Sequence, residues 1–210
     1  MKWERIPLGP LQTNCYVLSS KEKECIVFDP GSEGAKLNAL IQSRGLKPLA
    51  VLLTHAHFDH IGAVDEVRER WNIPVYVHKK EKDWLASPEL NGSHYFQAGP
   101  IHAGPADEYI ETGKPLTIGP FTLRVSHTPG HSPGSVSFYH EETRAVFSGD
   151  VLFKEGIGRT DLPGGDHQLL LKSIHDHLLE LPEDTLVLSG HGPETTIQDE
   201  MDHNPFLNGF

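Results

Sequence analysis

Cysteine is scarce in this sequence, with 2 among 210 residues, Cys15 and Cys25. Each lies in an apolar, strand-like stretch, where a small buried side chain is the expected role and a disulfide between them is the lesser alternative. Long apolar runs are absent as well, and the first residues contain no apolar signal segment. We therefore expect a cytoplasmic protein without a membrane partner.

Positive charge is also in short supply. The 18 Lys and Arg residues stand against 29 Asp and Glu residues, which gives a formal net charge of -11, and no basic run is present. Nucleic acid is therefore not an expected partner, because binding a polyanion requires a basic patch. The composition, 37% hydrophobic and 22% charged, is that of a globular protein. No compositional break marks a boundary, so we expect one domain over residues 1–210.

Hydrophobic patterning predicts an alternating α/β organisation. The first half is predicted to contain a hairpin of two strands (14–20 and 25–31), a helix (34–45), a strand (49–54), a helix (60–71), a strand (74–78) and a short helix (79–87). Residues 87–109 are expected to form a loop. The second half is predicted to contain four strands (115–118, 121–130, 134–140 and 144–150), a helix (167–181), a strand (185–190) and a short tail ending in NPFLNGF.

Histidine, in contrast, is abundant, with 14 residues. Three of them fall in the segment THAHFDH at 54–60, directly after the apolar run LAVLL. His55 and His57 are two apart, so in an extended segment both rings leave the same side and can bind one ion. Asp59 and His60 continue into the predicted helix, where they can reach a second ion. A shared metal explains this density better than a core does, because several buried imidazoles would need hydrogen-bond partners at once.

Three further strand ends present single ligand candidates, His131 in TPGHSPGS, Asp150 in FSGD and His191 in LSGHGP. Taken alone, Asp150 could cap a turn and His131 could be a satisfied loop histidine. Together with the first cluster they make five histidines and two aspartates. This set suits two cations held by nitrogen and oxygen ligands, with one carboxylate shared between them.

These residues resemble a known family. THAHFDH matches the HxHxDH signature of the metallo-β-lactamase fold, and the succession of His131, Asp150 and His191 matches its remaining ligands. The resemblance implies an α/β protein built as a four-layer αββα sandwich, with the site at the rim between two sheets. It also implies two divalent metal ions, zinc being the expected metal and iron or manganese the alternatives. The ligands it implies are His55, His57 and His131 for one ion, Asp59, His60 and His191 for the other, and Asp150 as the bridge.

Within this family, the stretch GDVLFKEGIGRTDLPGG and the ending GHGP…NPF resemble the short glyoxalase II-like, or hydroxyacylglutathione hydrolase-like, group. The resemblance implies hydrolysis of a thioester of a small thiol, an S-2-hydroxyacyl thiol, by a metal-bridging hydroxide. Asp59 would ligate metal and accept a hydrogen bond from this hydroxide, which makes it the expected catalytic residue. The basic C-terminal region that holds glutathione in the longer enzymes is not found before Phe210, so the identity of the thiol stays open.

Arg159 stands where the longer enzymes have a substrate-binding lysine, which implies that it grips a substrate carboxylate. An ion pair between Arg159 and Asp161 that stiffens the loop is an equally good interpretation. The oligomeric state stays open.

Other activities of the same fold stay open to different degrees. A mononuclear iron persulfide dioxygenase would use only His55, His131 and Asp150, and a lactone or ester hydrolase would use the whole set. Antibiotic hydrolysis is disfavoured, because true β-lactamases usually have a cysteine where this chain has Asp150.

Overall fold

A mixed six-stranded sheet, the N-terminal sheet, is built by the first half of the chain. The computed structural model describes residues 1–96 and 99–207, so Gln97 and Ala98 of the predicted loop, and residues 208–210 of the predicted tail, lie outside the described residues. The strands pair in chain order, β1 (Lys2–Leu8), β2 (Thr13–Ser19), β3 (Glu24–Phe28), β4 (Lys47–Leu52), β5 (Val75–His78) and β6 (Glu108–Ile110). β1 to β3 are antiparallel, which confirms the predicted hairpin, and β3 to β6 are parallel.

Parallel neighbours require crossover connections, and helices supply them here. Between the parallel strands lie α1 (Gly34–Ser43), α2 (Phe58–Ile61), α3 (Val64–Trp71), a 3₁₀ turn (Lys79–Glu81), α4 (Pro88–Asn91) and a second 3₁₀ turn (Ser93–Tyr95). The predicted helix over 60–71 is broken at Gly62 and Ala63, where the Ala63 amide donates to the carbonyl oxygen of Pro30 at 2.9 Å and a Cβ at Gly62 would collide with the carbonyl oxygen of Gly31. This close approach brings the chain after β3 against the chain after β4.

The C-terminal sheet has its strands in the order β14-β13-β10-β9-β8-β7. The second half of the chain contains β7 (Pro115–Ile118), β8 (Phe121–His127), β9 (Val136–His140), β10 (Ala145–Gly149), a separate small hairpin of β11 (Leu152–Phe153) and β12 (Gly156–Ile157), α5 (His167–Ser173), a π-helical turn (Ile174–Leu178), β13 (Leu186–Ser189), β14 (Thr195–Thr196) and α6 (Ile197–His203). Only β10 and β13 are parallel in this sheet, and α5 forms the crossover between them.

The two sheets pack face to face, and each outer face carries helices. Between the sheets, Phe28 and Phe147 are fully buried and stack with ring centroids 4.0 Å apart. Leu37 of α1 and Val64 of α3 cover the N-terminal sheet, and Leu170 of α5 covers the C-terminal sheet. The predicted four-layer αββα sandwich is therefore confirmed. Removing either phenylalanine side chain would cost about 3–5 kcal/mol, the range for aromatic truncation in a core.

Several elements differ from the predictions. Strand β1 was not predicted, because KWERIPL mixes charged and apolar residues without regular alternation and contains Pro7, which is unusual inside a strand. The predicted helix over 79–87 is reduced to a single 3₁₀ turn, and the predicted loop over 87–109 contains α4, a 3₁₀ turn and the start of β6. The tail contains α6, whose N-terminus is capped by Thr196 accepting a hydrogen bond from the Asp199 amide at 3.0 Å. Elements this short have too few residues to show a period.

No helix within residues 1–96 and 99–207 has the length and apolar character needed to cross a membrane.

Candidate metal centre

The rim where strands end gathers all seven predicted metal ligands. His55 to His60 follow β4 of the N-terminal sheet, and Asp150 and His191 follow the parallel pair β10 and β13 of the other sheet. Because parallel strands point their carboxyl ends to one edge, the residues after them meet there. Within the described residues, three groups have ligand atoms within 4.8 Å of one another: His55 with His57 and His131, His55 with His60 and Asp150, and Asp59 with His60 and His191.

The first group consists of three buried imidazoles, His55, His57 and His131. The Nδ1 atom of His57 and the Nε2 atom of His131 lie 2.9 Å apart. Burial, together with the charge on neighbouring imidazoles, lowers the pKa of all three, and it lowers that of His57 to about 3. These rings are therefore neutral at physiological pH, which is the form that binds metal.

The second group places a carboxylate among imidazoles. Asp59 Oδ2 lies 3.1 Å from His191 Nε2 and 3.6 Å from His60 Nε2. Burial alone would lower the pKa of His191, but the carboxylates of Asp150 and Asp59 outweigh it and raise this pKa to about 10. Burial would likewise raise the pKa of Asp59, but His60 and His191 bring it down to about 2. In this half of the centre, the ionised Asp59 carboxylate therefore faces the protonated imidazole of His191.

Asp150 lies between the two groups. Its Oδ1 is 3.4 Å from His60 Nε2, and its Oδ2 is 3.6 Å from His131 Nε2 and 3.5 Å from His191 Nε2. One carboxylate thus faces imidazoles of both groups, as expected of a bridging ligand. The Cβ-free backbone of Gly190 makes room for it, because a methyl group there would overlap Asp150 Oδ1.

The donor set fits metal ions. Three atoms that face the centre are buried without a hydrogen-bond partner in the protein: His55 Nε2, His60 Nε2 and Asp150 Oδ1. Orphaned buried polar atoms are costly, and so many at one place require a partner that contacts several at once. Imidazole and carboxylate donors at this density suit divalent cations such as zinc, iron or manganese.

Hydrogen bonds outside the cluster set the ring orientations. His60 Nδ1 donates to Asp29 Oδ2 at 3.0 Å, and His131 Nδ1 donates to the carbonyl oxygen of Arg159 at 2.8 Å. The Thr54 hydroxyl donates to Asp29 at 2.6 Å and lies 3.1 Å from His55 Nδ1. With Nδ1 engaged in each of these rings, Nε2 is left to face the centre.

A buried carboxylate also ties together the two loops that carry the first group. Glu81 is fully buried. It accepts hydrogen bonds from the Ala56 amide at 2.6 Å, the Ser132 hydroxyl at 2.5 Å and the Gly134 amide at 2.7 Å. Ala56 lies between the predicted ligands His55 and His57, and Ser132 follows the predicted ligand His131, so Glu81 holds the backbones of these two loops in register.

Sequence reasoning missed these supporting residues. Asp29 lies within the predicted strand 25–31, directly after its apolar run CIVF, as the predicted ligands follow their apolar runs, and this position was a usable signal. Glu81 lies in the charged run KKEKD, where an exposed side chain is the default expectation, and the sequence contains no signal for its burial.

Asp59 also borders a pocket. This pocket has a volume of about 380 Å³, and Phe58 and Phe96, with ring centroids 5.0 Å apart, form part of its wall. The guanidinium of Arg159 lies 6.0 Å from the Phe96 ring centroid. It donates two hydrogen bonds to Asp161, at 2.7 and 2.8 Å, and thereby lowers the pKa of Asp161 to about 2. The ion pair is present, and the substrate-binding role of Arg159 stays a prediction.

A four-layer αββα fold that gathers histidine and aspartate side chains at one rim fits a metal-dependent hydrolase. The family comparison is consistent with this class: the family model of the Metallo-beta-lactamase superfamily matches residues 8–191. The chain belongs to the metallo-β-lactamase superfamily, as the sequence motifs predicted.

Two curated relatives align over nearly the whole chain. The probable metallo-hydrolase YqgX of Bacillus subtilis is 61% identical over 210 residues, covering 100% of this chain and 99% of the relative. The hydroxyacylglutathione hydrolase GloC of Haemophilus influenzae is 36% identical over 209 residues, covering 99% of both chains.

Two solved structures are similar throughout. BLEG-1, described as a B3 metallo-beta-lactamase, superposes with a TM-score of 0.97 at 59% identity, covering 99% of this chain and 100% of that one. TTHA1623, solved in a di-iron-bound form, superposes with a TM-score of 0.87 at 45% identity, covering 97% of this chain and 100% of that one.

Proposed function

We propose that this metallo-hydrolase superfamily member binds two metal ions and hydrolyses thioesters of small thiols, with S-2-hydroxyacyl thiols as the substrate class. The observation that carries the proposal is the position of Asp150 between two ligand groups, beside a pocket that opens on Asp59. The similarity to GloC, a hydroxyacylglutathione hydrolase, supports the substrate class.

The residues of the centre have separate roles in this proposal. His55, His57 and His131 would hold one ion, Asp59, His60 and His191 would hold the other, and Asp150 would bridge them. When bound, two such ions supply a hydroxide nucleophile at neutral pH and polarise the carbonyl group under attack. Zinc is the metal we propose, and the di-iron-bound form of TTHA1623 supports iron as the alternative.

Asp59 is the residue we propose to orient the nucleophile. Its pKa of about 2 keeps it ionised, so its carboxylate can accept a hydrogen bond from an attacking hydroxide. The Thr13 hydroxyl donates to Asp59 Oδ2 at 2.8 Å and holds the carboxylate in place. A thiolate is a good leaving group, so no covalent enzyme intermediate is needed.

Hydrolysis of a β-lactam is the second candidate, because BLEG-1 shares 59% identity with this chain. An iron-dependent persulfide dioxygenase using His55, His131 and Asp150 is the third. Each predicts a different product from the same purified protein. The cytoplasmic location stays a prediction that cell fractionation would test.

The test combines metal analysis with activity. We expect about two metal ions per chain in protein purified without added metal, and thiol release from S-D-lactoylglutathione. Asp59→Asn should abolish this release, whereas Asp184→Asn, which changes an exposed aspartate paired with Arg144, should not. Ring opening of a chromogenic cephalosporin without thiol release would favour the lactamase. A single iron with oxygen uptake on glutathione persulfide would favour the dioxygenase.

A further inference from the structure

The walls of the pocket beside Asp59 are almost entirely uncharged. They come from the β1–β2 connection, the segment after β3, the start of α2 and the region after α4. The lining residues are Leu8, Gly9, Pro10, Leu11, Thr13, Gly31, Ser32, Phe58, Asp59, Phe96 and Ile101. Among these described residues Asp59 alone carries a charge, and the proposed centre already uses it. Pockets of this size and character bury the apolar part of a small ligand.

The charged side chains around the pocket leave no cation to bind an anionic occupant. The Glu33 carboxylate accepts a hydrogen bond from the Gly9 amide, a wall residue, at 2.8 Å and pairs with Lys36 at 3.2 Å. The guanidinium near Phe96 belongs to Arg159, whose charge is paired with Asp161. A ligand carboxylate placed here would meet the Asp59 carboxylate, and no cation stands among the described wall residues.

A thioester has two arms, and only one of them suits such a pocket. Glutathione, the thiol of the proposed assay, bears carboxylates, which apolar walls beside the Asp59 carboxylate do not accommodate. The acyl arm can be a plain hydrocarbon beyond the carbon next to the carbonyl. Burying that hydrocarbon against Leu11 and Phe96 removes apolar surface from water.

We propose that the pocket lined by Leu11, Phe58 and Phe96 binds the acyl arm of the substrate and selects 2-hydroxyacyl thioesters whose remaining acyl chain is apolar. The inference rests on the proposed thioester hydrolysis and narrows its substrate class. The charged thiol then lies outside the pocket, toward solvent.

The test keeps the thiol constant and varies the acyl chain. Glutathione thioesters of lactate, 2-hydroxybutanoate and 2-hydroxyhexanoate differ only in methylene number. Each buried methylene should raise kcat/KM roughly fourfold at full burial. A chain ending in a carboxylate should react more slowly than lactate. A parallel series with a constant lactoyl group and thiols of increasing apolarity tests the opposite orientation.

Variants connect the trend to the pocket. Leu11→Ser, on an exposed part of the β1–β2 connection, should flatten the dependence of kcat/KM on chain length. Met201→Ser is the matched control, because Met201 is a similarly exposed apolar residue on α6. The control should retain the full dependence. Ketone analogues, in which a methylene replaces the thioester sulfur, give a binding constant that does not depend on turnover.

The outcomes separate the inference from the proposed function. The inference is supported if kcat/KM for thiol release rises with acyl length in the native protein and in the Met201→Ser control, and if Leu11→Ser makes it nearly independent of acyl length. Thiol release that ignores acyl length, or follows the thiol arm instead, overturns it and leaves thioester hydrolysis standing. Absence of thiol release from every thioester refutes the proposed function. In that case the ketone analogues still test whether the pocket binds the acyl arm. An affinity for these analogues that does not depend on acyl chain length would overturn the inference.

Discussion

Glu81 offers the sharpest test of how the centre is held, because its carboxylate joins the two loops that carry the first ligand group. Oε1 accepts hydrogen bonds from the Ser132 hydroxyl and the Gly134 amide, and Oε2 accepts one from the Ala56 amide. Glu81→Ala leaves the Ala56 and Gly134 amides without an acceptor in a buried place, whereas the Ser132 hydroxyl still has Ser135 Oγ at 2.7 Å. Each orphaned amide costs about 1–3 kcal/mol, so we expect a loss of about 2–6 kcal/mol in the free energy of unfolding.

Glu81→Gln keeps the size and shape of the side chain but removes its negative charge, so it separates the effect of charge from the effect of lost volume. The amide oxygen can still accept from Ser132 and Gly134, but the amide NH₂ then faces the Ala56 N–H, so one acceptor is lost. The expected loss is therefore about 1–3 kcal/mol. Glu69→Ala, at an exposed position of α3, is the control that removes a glutamate without removing an acceptor.

The assays are urea unfolding of the metal-free protein and metal affinity measured by competition with a chelator. We expect the order native, Glu81→Gln, Glu81→Ala in unfolding midpoint, and metal binding weakened about tenfold or more in Glu81→Ala, as for other supporting residues of metal sites. A Glu81→Ala protein that unfolds at the same urea concentration as the Glu69→Ala control, with native metal affinity, would refute this account.

Three further outcomes follow from the structure. Gly190→Ala should abolish binding of one or both metals while the fold survives, because the added methyl overlaps Asp150 Oδ1. Elemental analysis checks this, and the control Gly156→Ala, where a Cβ makes only ordinary contacts, should bind metal normally. Burial, with His127 stacked on the ring, lowers the pKa of His78 from 6.5 to about 4, so the unfolded chain binds more protons between these values. The stability due to this residue is therefore complete above pH 6.5 and lost as the pH falls toward 4, and urea midpoints of His78→Gln should depend less on pH in that window than native midpoints do. Finally, metal held at a hundred times its dissociation constant should stabilise the fold by about 2.7 kcal/mol per site, and a chelator should reverse the accompanying rise in melting temperature; an unchanged melting temperature would contradict the metal assignment.

Elements with a clear hydrophobic pattern were predictable, and elements without one were not. Helix α1 shows apolar residues at helical spacing, and β8 and β10 show clear alternation or an unbroken apolar run, so their patterns were sufficient. Strand β1 became a strand because it pairs with β2 along its whole length, a contact that its mixed charged and apolar sequence does not predict. Roles such as substrate binding by Arg159, the single domain over residues 1–210, the thioester and the zinc stay predictions.

The seven ligand candidates were determined by the sequence itself, because HxHxDH and three isolated ligands after apolar strands are chemically specific residue types at strand ends. Tertiary structure alone decided how those ligands are held and what lies beside them. Glu81 and Ala56 are 25 residues apart, and Leu11 and Phe96 meet at one pocket from distant parts of the chain. Local patterning records whether a residue prefers a strand or a helix. Which buried carboxylate finds which amide, and which apolar side chains share a wall, depends on how the two sheets pack.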